Sequence, residues 1–153
     1  MSEPVENLTY VGDAGRRGGT LPTRLAGHLG RGGWQTAFRR KVFQHVLGVS
    51  ERPRTGAEYR ELLRESSSQI TQEIIRNFAF KCLATADFRD FEVWLIHKYE
   101  AQLWNKQKYP KKITTRDFSL LEAILLGSPL IPFSDRHISS IPDEAGVYLV
   151  FRI

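Results

Sequence analysis

Val147-Tyr148-Leu149-Val150-Phe151 is an unbroken apolar run of strand-forming residues. Successive side chains of a strand point to opposite faces, so a run with no polar position wants covering on both. A chain of 153 residues is long enough to supply that cover from one domain with a real core. Two further segments read as strands. Leu8 to Gly12 is one, and Phe78 to Thr85 is the other, with Phe78, Phe80 and Cys82 on a shared face.

Helices are read between them from apolar spacing and start signals. Leu21, Leu25 and Leu29 form a stripe behind Thr20, a candidate cap, with Pro22 tolerated in the first turn. Arg24 and His28 lie four residues apart beside that stripe, so they share one face near the buried side. Ala37 to Leu47 carries Phe38, Val42, Phe43 and Val46, with the basic run Arg39-Arg40-Lys41 among them. Thr55-x-x-Glu58 matches a capping box, Ser66-Ser67-Ser68 interrupts that helix, and residues 70–76 add a turn or two. Asp87 is a cap for a helix from Phe88 to about Leu103, with Asn105 placed to close its end. Thr114-x-x-Asp117 opens another through Phe118, Leu121 and Leu125, and Gly127 to Pro142 reads as irregular.

Glu92 stands out on its helix. Leu95, Ile96, Tyr99 and Leu103 follow it at helical spacing, which puts a carboxylate on the apolar face, where it is costly to bury unpaired. It complements the positive end of the helix dipole, or pairs with an arginine, or binds a metal. Gly15-Arg16-Arg17-Gly18-Gly19 is a surface turn by its glycines alone. With its arginines it is also a loop that approaches phosphate.

The charge balance, 22 Lys+Arg against 17 Asp+Glu, favours a polyanionic partner. Directly after the Arg24/His28 helix, the run Arg39-Arg40-Lys41 is then expected to contact phosphate backbone. The single Cys82 excludes an intrachain disulfide and fits a reducing, cytoplasmic compartment. Four scattered histidines and one cysteine do not suit a zinc cage. Ser2 to Thr9 is polar and acidic, unlike a leader, and no apolar run approaches membrane-spanning length.

Tyr10-Val11-Gly12, Arg24 with His28 four residues on, a helical Glu92 and Trp104-Asn105 together resemble the later part of a GIY-YIG nuclease domain. The family's opening Gly-Val-Tyr strand appears at the other end, as Gly146-Val147-Tyr148 after a proline-led turn. The resemblance is thus to a circularly permuted domain covering residues 8–48, 78–105 and 141–151. It leaves 50–76 and 106–140 as insertions or target-recognition elements within one domain, 1–153.

The resemblance implies an α/β (α+β) layer, with helices on the faces of a mainly antiparallel three-stranded sheet (8–12, 78–85, 146–152). It also implies a metal-dependent endonuclease hydrolysing double-stranded DNA, with restriction-type, repair, mobile-element and toxin roles all compatible. Glu92 would bind Mg²⁺ or Mn²⁺, and Arg24 would neutralise a phosphate oxygen. Tyr148 would activate water, Tyr10 would hydrogen-bond phosphate or water, and His28 would relay a proton. Gly12, Gly146 and Asn105 would orient the site, and Arg16, Arg17, Arg39, Arg40 and Lys41 would hold nucleic acid. A palindrome-cutting enzyme would be a homodimer. The rivals are a nucleic-acid-binding module that has lost catalysis and an interaction protein whose motifs match by chance. The first is opposed by the intact Tyr10, Arg24, His28, Glu92 and Tyr148, because decay would usually remove one. The second predicts that Tyr148 lies far from Tyr10 and that Glu92 is salt-bridged or solvent-facing, and all five residues around one cleft would eliminate it.

Overall fold

The computed structural model describes residues 4–32, 35–105 and 116–153. Strand β1 (Leu8–Ala14) leads through a 3-10 turn at Arg16–Gly18 into α1 (Leu21–His28). Helices α2 (Ala37–His45), α3 (Gly56–Glu65) and α4 (Ser67–Asn77) follow, and α4 passes directly into β2 (Phe78–Ala84). Then come α5 (Phe88–Tyr99), α6 (Ser119–Leu126), β3 (Ile131–Pro132), α7 (Asp135–Ile138) and β4 (Gly146–Arg152). Among the described residues no helix is long and apolar enough to cross a membrane.

The sheet is antiparallel throughout, in the order β1-β4-β2-β3. The apolar run of the C-terminal segment is therefore an inner strand, hydrogen-bonded on both edges and covered on both faces. Tyr148 and Val150 face one core, built with Phe78 and Phe80 of β2 and with α1, α2, α3 and α4. Val147, Leu149 and Phe151 face the other, built with Phe91, Leu95, Ile96 and Tyr99 of α5 and with Phe118 and Leu125 beside them. The register of β1 shifts between Leu8 and Tyr10. That irregularity changes the parity of the strand, so Leu8 enters the second core while Tyr10 enters the first.

Several expectations are corrected. The sheet has four strands, not three, because β3 adds a two-residue edge pairing Ala79 with Pro132 and Phe80 with Ile131. The segment 127–142, expected to be irregular, thus holds β3 and α7; two residues ending in proline carry no periodicity to read. The serine run breaks the helix only at Ser66, and α4 already starts at Ser67. Helix α5 stops at Tyr99, and Asn105 does not close it. The Asn105 carboxamide instead pairs with the free edge of β1, accepting from the Val11 N–H at 3.0 Å and donating to the Val11 carbonyl at 2.8 Å. The neighbouring Trp104 N–H donates to the Thr9 carbonyl at 2.8 Å. Thr20 and Asp87 precede their helices without capping them: Thr20 bonds Thr23, and Asp87 takes Arg116. Thr55 does cap α3, accepting from the Glu58 N–H. Thr114 lies outside the described residues, as does the part of the second unexplained element from 106 to 115.

Two glycines hold the sheet together by having no side chain. Gly12 sits opposite Tyr148 in the ladder, and a Cβ there would lie 2.2 Å from the Tyr148 Cζ and hydroxyl. A Cβ on Gly146 would lie 2.2 Å from the Leu83 carbonyl oxygen. Gly56, at the start of α3, would meet nothing. Gly12→Ala is expected to destabilise the fold by about 2 kcal/mol or more, because the Tyr148 ring is buried and has nowhere to move. Gly56→Ala is expected to be neutral or stabilising by up to about 1 kcal/mol. Urea denaturation of the two variants checks both signs.

Candidate active site

β1 is an edge strand, and only its first half is covered by Trp104 and Asn105. Beyond Val11 a cleft of about 1150 Å³ wraps the strand's end, walled by α1 on one side and α5 on the other. Tyr10, Asp13, Arg16, Arg24, Thr36 and Glu92 are among its lining residues. His28 and Tyr148 lie behind that lining, both fully buried.

The α1 wall follows from the leucine stripe. Leu21 and Leu25 are buried in the first core, which turns His28 inward and leaves Arg24 half-buried at the cleft. The His28 Nε2 atom stands 2.5 Å from the Tyr148 hydroxyl, and its Nδ1 atom stands 2.8 Å from Thr36 Oγ1. Gly12 makes the first contact possible, since Tyr148 crosses beneath it. Arg24 Nε is buried with no acceptor among the described residues, although the side chain lines the cleft. A buried donor without an acceptor costs about 1–3 kcal/mol, so this one asks for a ligand oxygen.

On the α5 wall, Glu92 is buried at 2% exposure among Phe91, Leu95 and Ile96, as its place on the apolar face implies. Of its three readings, the arginine contact is present: Arg16 Nη2 lies 3.8 Å from Glu92 Oε1. The same guanidinium reaches Asp13, with Nε 3.5 Å from Oδ2. Arg16 is itself 58% exposed on the turn after β1, so an exposed cation spans two buried carboxylates at the mouth of the cleft.

Burial sets the protonation states. It pushes the Tyr10 phenol up to about 12, with Arg24 opposing the shift. It raises the Tyr148 phenol well above its ordinary value, helped by Tyr10 and opposed by Arg24. His28 is held well below its ordinary value by burial and then by the Arg24 and Arg39 cations. The Asp13 carboxyl is raised by burial against the pull of Arg16. At neutral pH the site therefore rests with two protonated phenols and a neutral imidazole.

The five residues expected at the site, Tyr10, Arg24, His28, Glu92 and Tyr148, converge on this cleft or the layer behind it. The expected phosphate contacts divide. Arg16 lines the cleft, and Arg17 and Arg40 are exposed. Lys41 is partly buried, and Arg39 is corrected outright. Arg39 is fully buried, and its five N–H groups go to Gln35 Oε1, the His28 carbonyl, Thr71 Oγ1 and the Ser67 carbonyl and hydroxyl. It ties α1, α2 and α4 together and has nothing left for a nucleic acid. A basic triplet on a helix spans almost a full turn, so one member must face inward.

Asp13 and Thr36 are the site residues that sequence reasoning missed. Asp13 directly follows Tyr10-Val11-Gly12, and its cue is that β1 runs on to Ala14, past the expected stop. Thr36 is the N-cap of α2, accepting from the Arg39 N–H. Among the described residues no group of three or more His, Cys, Asp and Glu side chains could hold a metal ion. Asp13 and Glu92 are an all-oxygen pair, which suits a hard divalent cation that keeps several waters. No protein-family model matches the chain, and no curated protein or solved structure matches it.

The buried imidazole makes stability depend on pH. His28 stays neutral in the fold but takes a proton near pH 6.5 when the chain unfolds, so below that pH the unfolded state binds more protons and stability falls. The loss reaches at most about 1.4 kcal/mol per pH unit for one site. Asp13 acts in the opposite sense, since its raised carboxyl is relieved by protonation at lower pH. Urea unfolding of wild type and His28→Gln from pH 7 down to pH 5 is expected to give a shallower slope in the variant.

Proposed function

We propose that this cleft is the active site of a GIY-YIG-type endonuclease that hydrolyses DNA phosphodiester bonds with Mg²⁺ or Mn²⁺. One observation carries the proposal: the buried Arg24 Nε, lacking an acceptor, lies in the same cleft as Glu92 and in front of the Tyr148–His28 pair. A phosphodiester oxygen is the acceptor this donor requires. The antiparallel pairing of β1 with β4 also supports the permuted reading, because it lays Tyr148 against Gly12 as a direct hairpin would.

Glu92, with Asp13 near it, would hold the cation, which supplies charge stabilisation at the scissile phosphate and the leaving 3′ oxygen. Arg24 binds a non-bridging oxygen through its planar fork, which a lysine could not match. Tyr10 donates its phenolic proton to the phosphate or to the attacking water. As that water loses a proton to the Tyr148 oxygen, the Tyr148 hydroxyl proton passes to His28 Nε2, 2.5 Å away. Arg24 is one of the two cations that hold His28 neutral. A bound phosphate partly offsets that cation and so makes the imidazole a better acceptor when substrate is in place.

Double-stranded DNA is the proposed partner. Arg16, Arg31 and Arg89 line the cleft beside Arg24, while Arg17 and Arg40 are available on the surface. Recognition of a palindrome would require a homodimer.

Plasmid cleavage by the purified chain with Mg²⁺ or Mn²⁺ tests this. Nicking or linearisation is expected, abolished by EDTA and by Glu92→Ala, and reduced about 100- to 1000-fold in Arg24→Lys. Wild-type protein that binds DNA in a salt-sensitive way but does not cleave it would move the assignment to a binding module.

A further inference from the structure

We propose that Thr36 is a positioning residue that fixes the tautomer of His28, taking the Nδ1 proton in a hydrogen bond so that Nε2 stays open to the Tyr148 hydroxyl. The consequence for rate rests on the nuclease reading; the tautomer itself does not.

Three buried polar groups stand in a row, Thr36 Oγ1 at 2.8 Å from His28 Nδ1 and His28 Nε2 at 2.5 Å from Tyr148 Oη. Their order of donation follows from counting protons and lone pairs. Tyr148 is fully buried and its phenol is protonated, so its hydroxyl must find an acceptor. The neighbouring Arg24 guanidinium can only donate. His28 Nε2 is thus the acceptor, and a neutral imidazole that accepts at Nε2 carries its proton on Nδ1. Burial with Arg24 and Arg39 nearby keeps the ring neutral.

Thr36 is suited to receive that proton. Its oxygen has two lone pairs, one of which accepts the Arg39 N–H at 3.3 Å as the cap of α2. The second is free for His28 Nδ1–H, and the hydroxyl's own proton is left for the cleft that Thr36 lines. The side chain is locked as well. It is β-branched, buried at 3% exposure and bonded through its oxygen to the Arg39 N–H, which restricts its rotamer. Arg39 then holds His28 a second way, since its Nη1 donates to the His28 carbonyl at 3.0 Å. The relay is oriented from the start of α2.

Nitrogen-15 spectra of the labelled full chain at neutral pH read the tautomer directly. Wild type is expected to show His28 with a protonated Nδ1 and an unprotonated Nε2. Thr36→Val orphans the Nδ1 proton, so the ring is expected to shift toward the Nε2–H form, with cleavage falling about 10- to 100-fold, the scale seen when metal-bound histidines lose their orienting partners. Thr36→Ser keeps the oxygen and is expected to restore both. Thr55→Val removes the cap of α3, away from the cleft, and is expected to leave both unchanged, which separates positioning from loss of a helix cap. An Nε2–H tautomer in wild type overturns the proposal, as does Thr36→Val with a wild-type tautomer. Should no form cleave DNA, the nuclease reading fails while the spectra still decide the role of Thr36.

Discussion

Strand β4 has neither a solvent face nor a free edge along most of its length, and the rest of the molecule is arranged to allow that. Its apolar side chains must be covered above and below, which demands helices on both sides of the sheet. Its backbone groups must be paired on both edges, which demands β1 and β2 as flanking partners. The two cores are the two faces of this strand, and each helix belongs to one of them.

The same constraint creates the cleft. With β4 in the middle, β1 becomes an edge strand, and an edge has unpaired backbone groups that need a partner or water. Trp104 and Asn105 supply that partner only as far as Val11. Beyond it the chain turns away through glycine-rich residues 15–19, leaving room between α1 and α5. The side chains brought there come from opposite faces of the sheet, with Tyr10 and Tyr148 from one and Asp13 and Glu92 from the other. They meet because the cleft wraps round the strand end.

Polar groups buried near that edge are of two kinds. Arg39 is satisfied five times by neutral acceptors and acts as a brace between helices. Arg24, fifteen residues earlier in the same basic chain, keeps a buried donor without an acceptor. Both are arginines on short helices beside apolar stripes, yet only one keeps a buried donor unmatched. The difference lies in what each faces: Arg39 points at the carbonyl and hydroxyl groups of α1 and α4, whereas Arg24 points at the cleft.

The amino-acid sequence by itself determined the longer elements and the faces their apolar stripes take. An unbroken apolar pentapeptide requires cover on both sides, the Leu21/Leu25/Leu29 stripe turns His28 inward, and Glu92 at helical spacing from Leu95 and Ile96 must be buried. Those are properties of local periodicity, and they held. Tertiary structure alone decided the pairings between distant segments. Nothing local says that Tyr148 crosses Gly12, that Asn105 seals a strand edge instead of a helix end, or that Ile131 and Pro132 add a fourth strand. The fate of each charge in Arg39-Arg40-Lys41 was equally undecided, because whether an arginine meets solvent or five buried acceptors depends on which helix packs against it. Periodicity is written in the chain at short range, while hydrogen-bond satisfaction is settled only when remote backbone and side-chain groups are brought together.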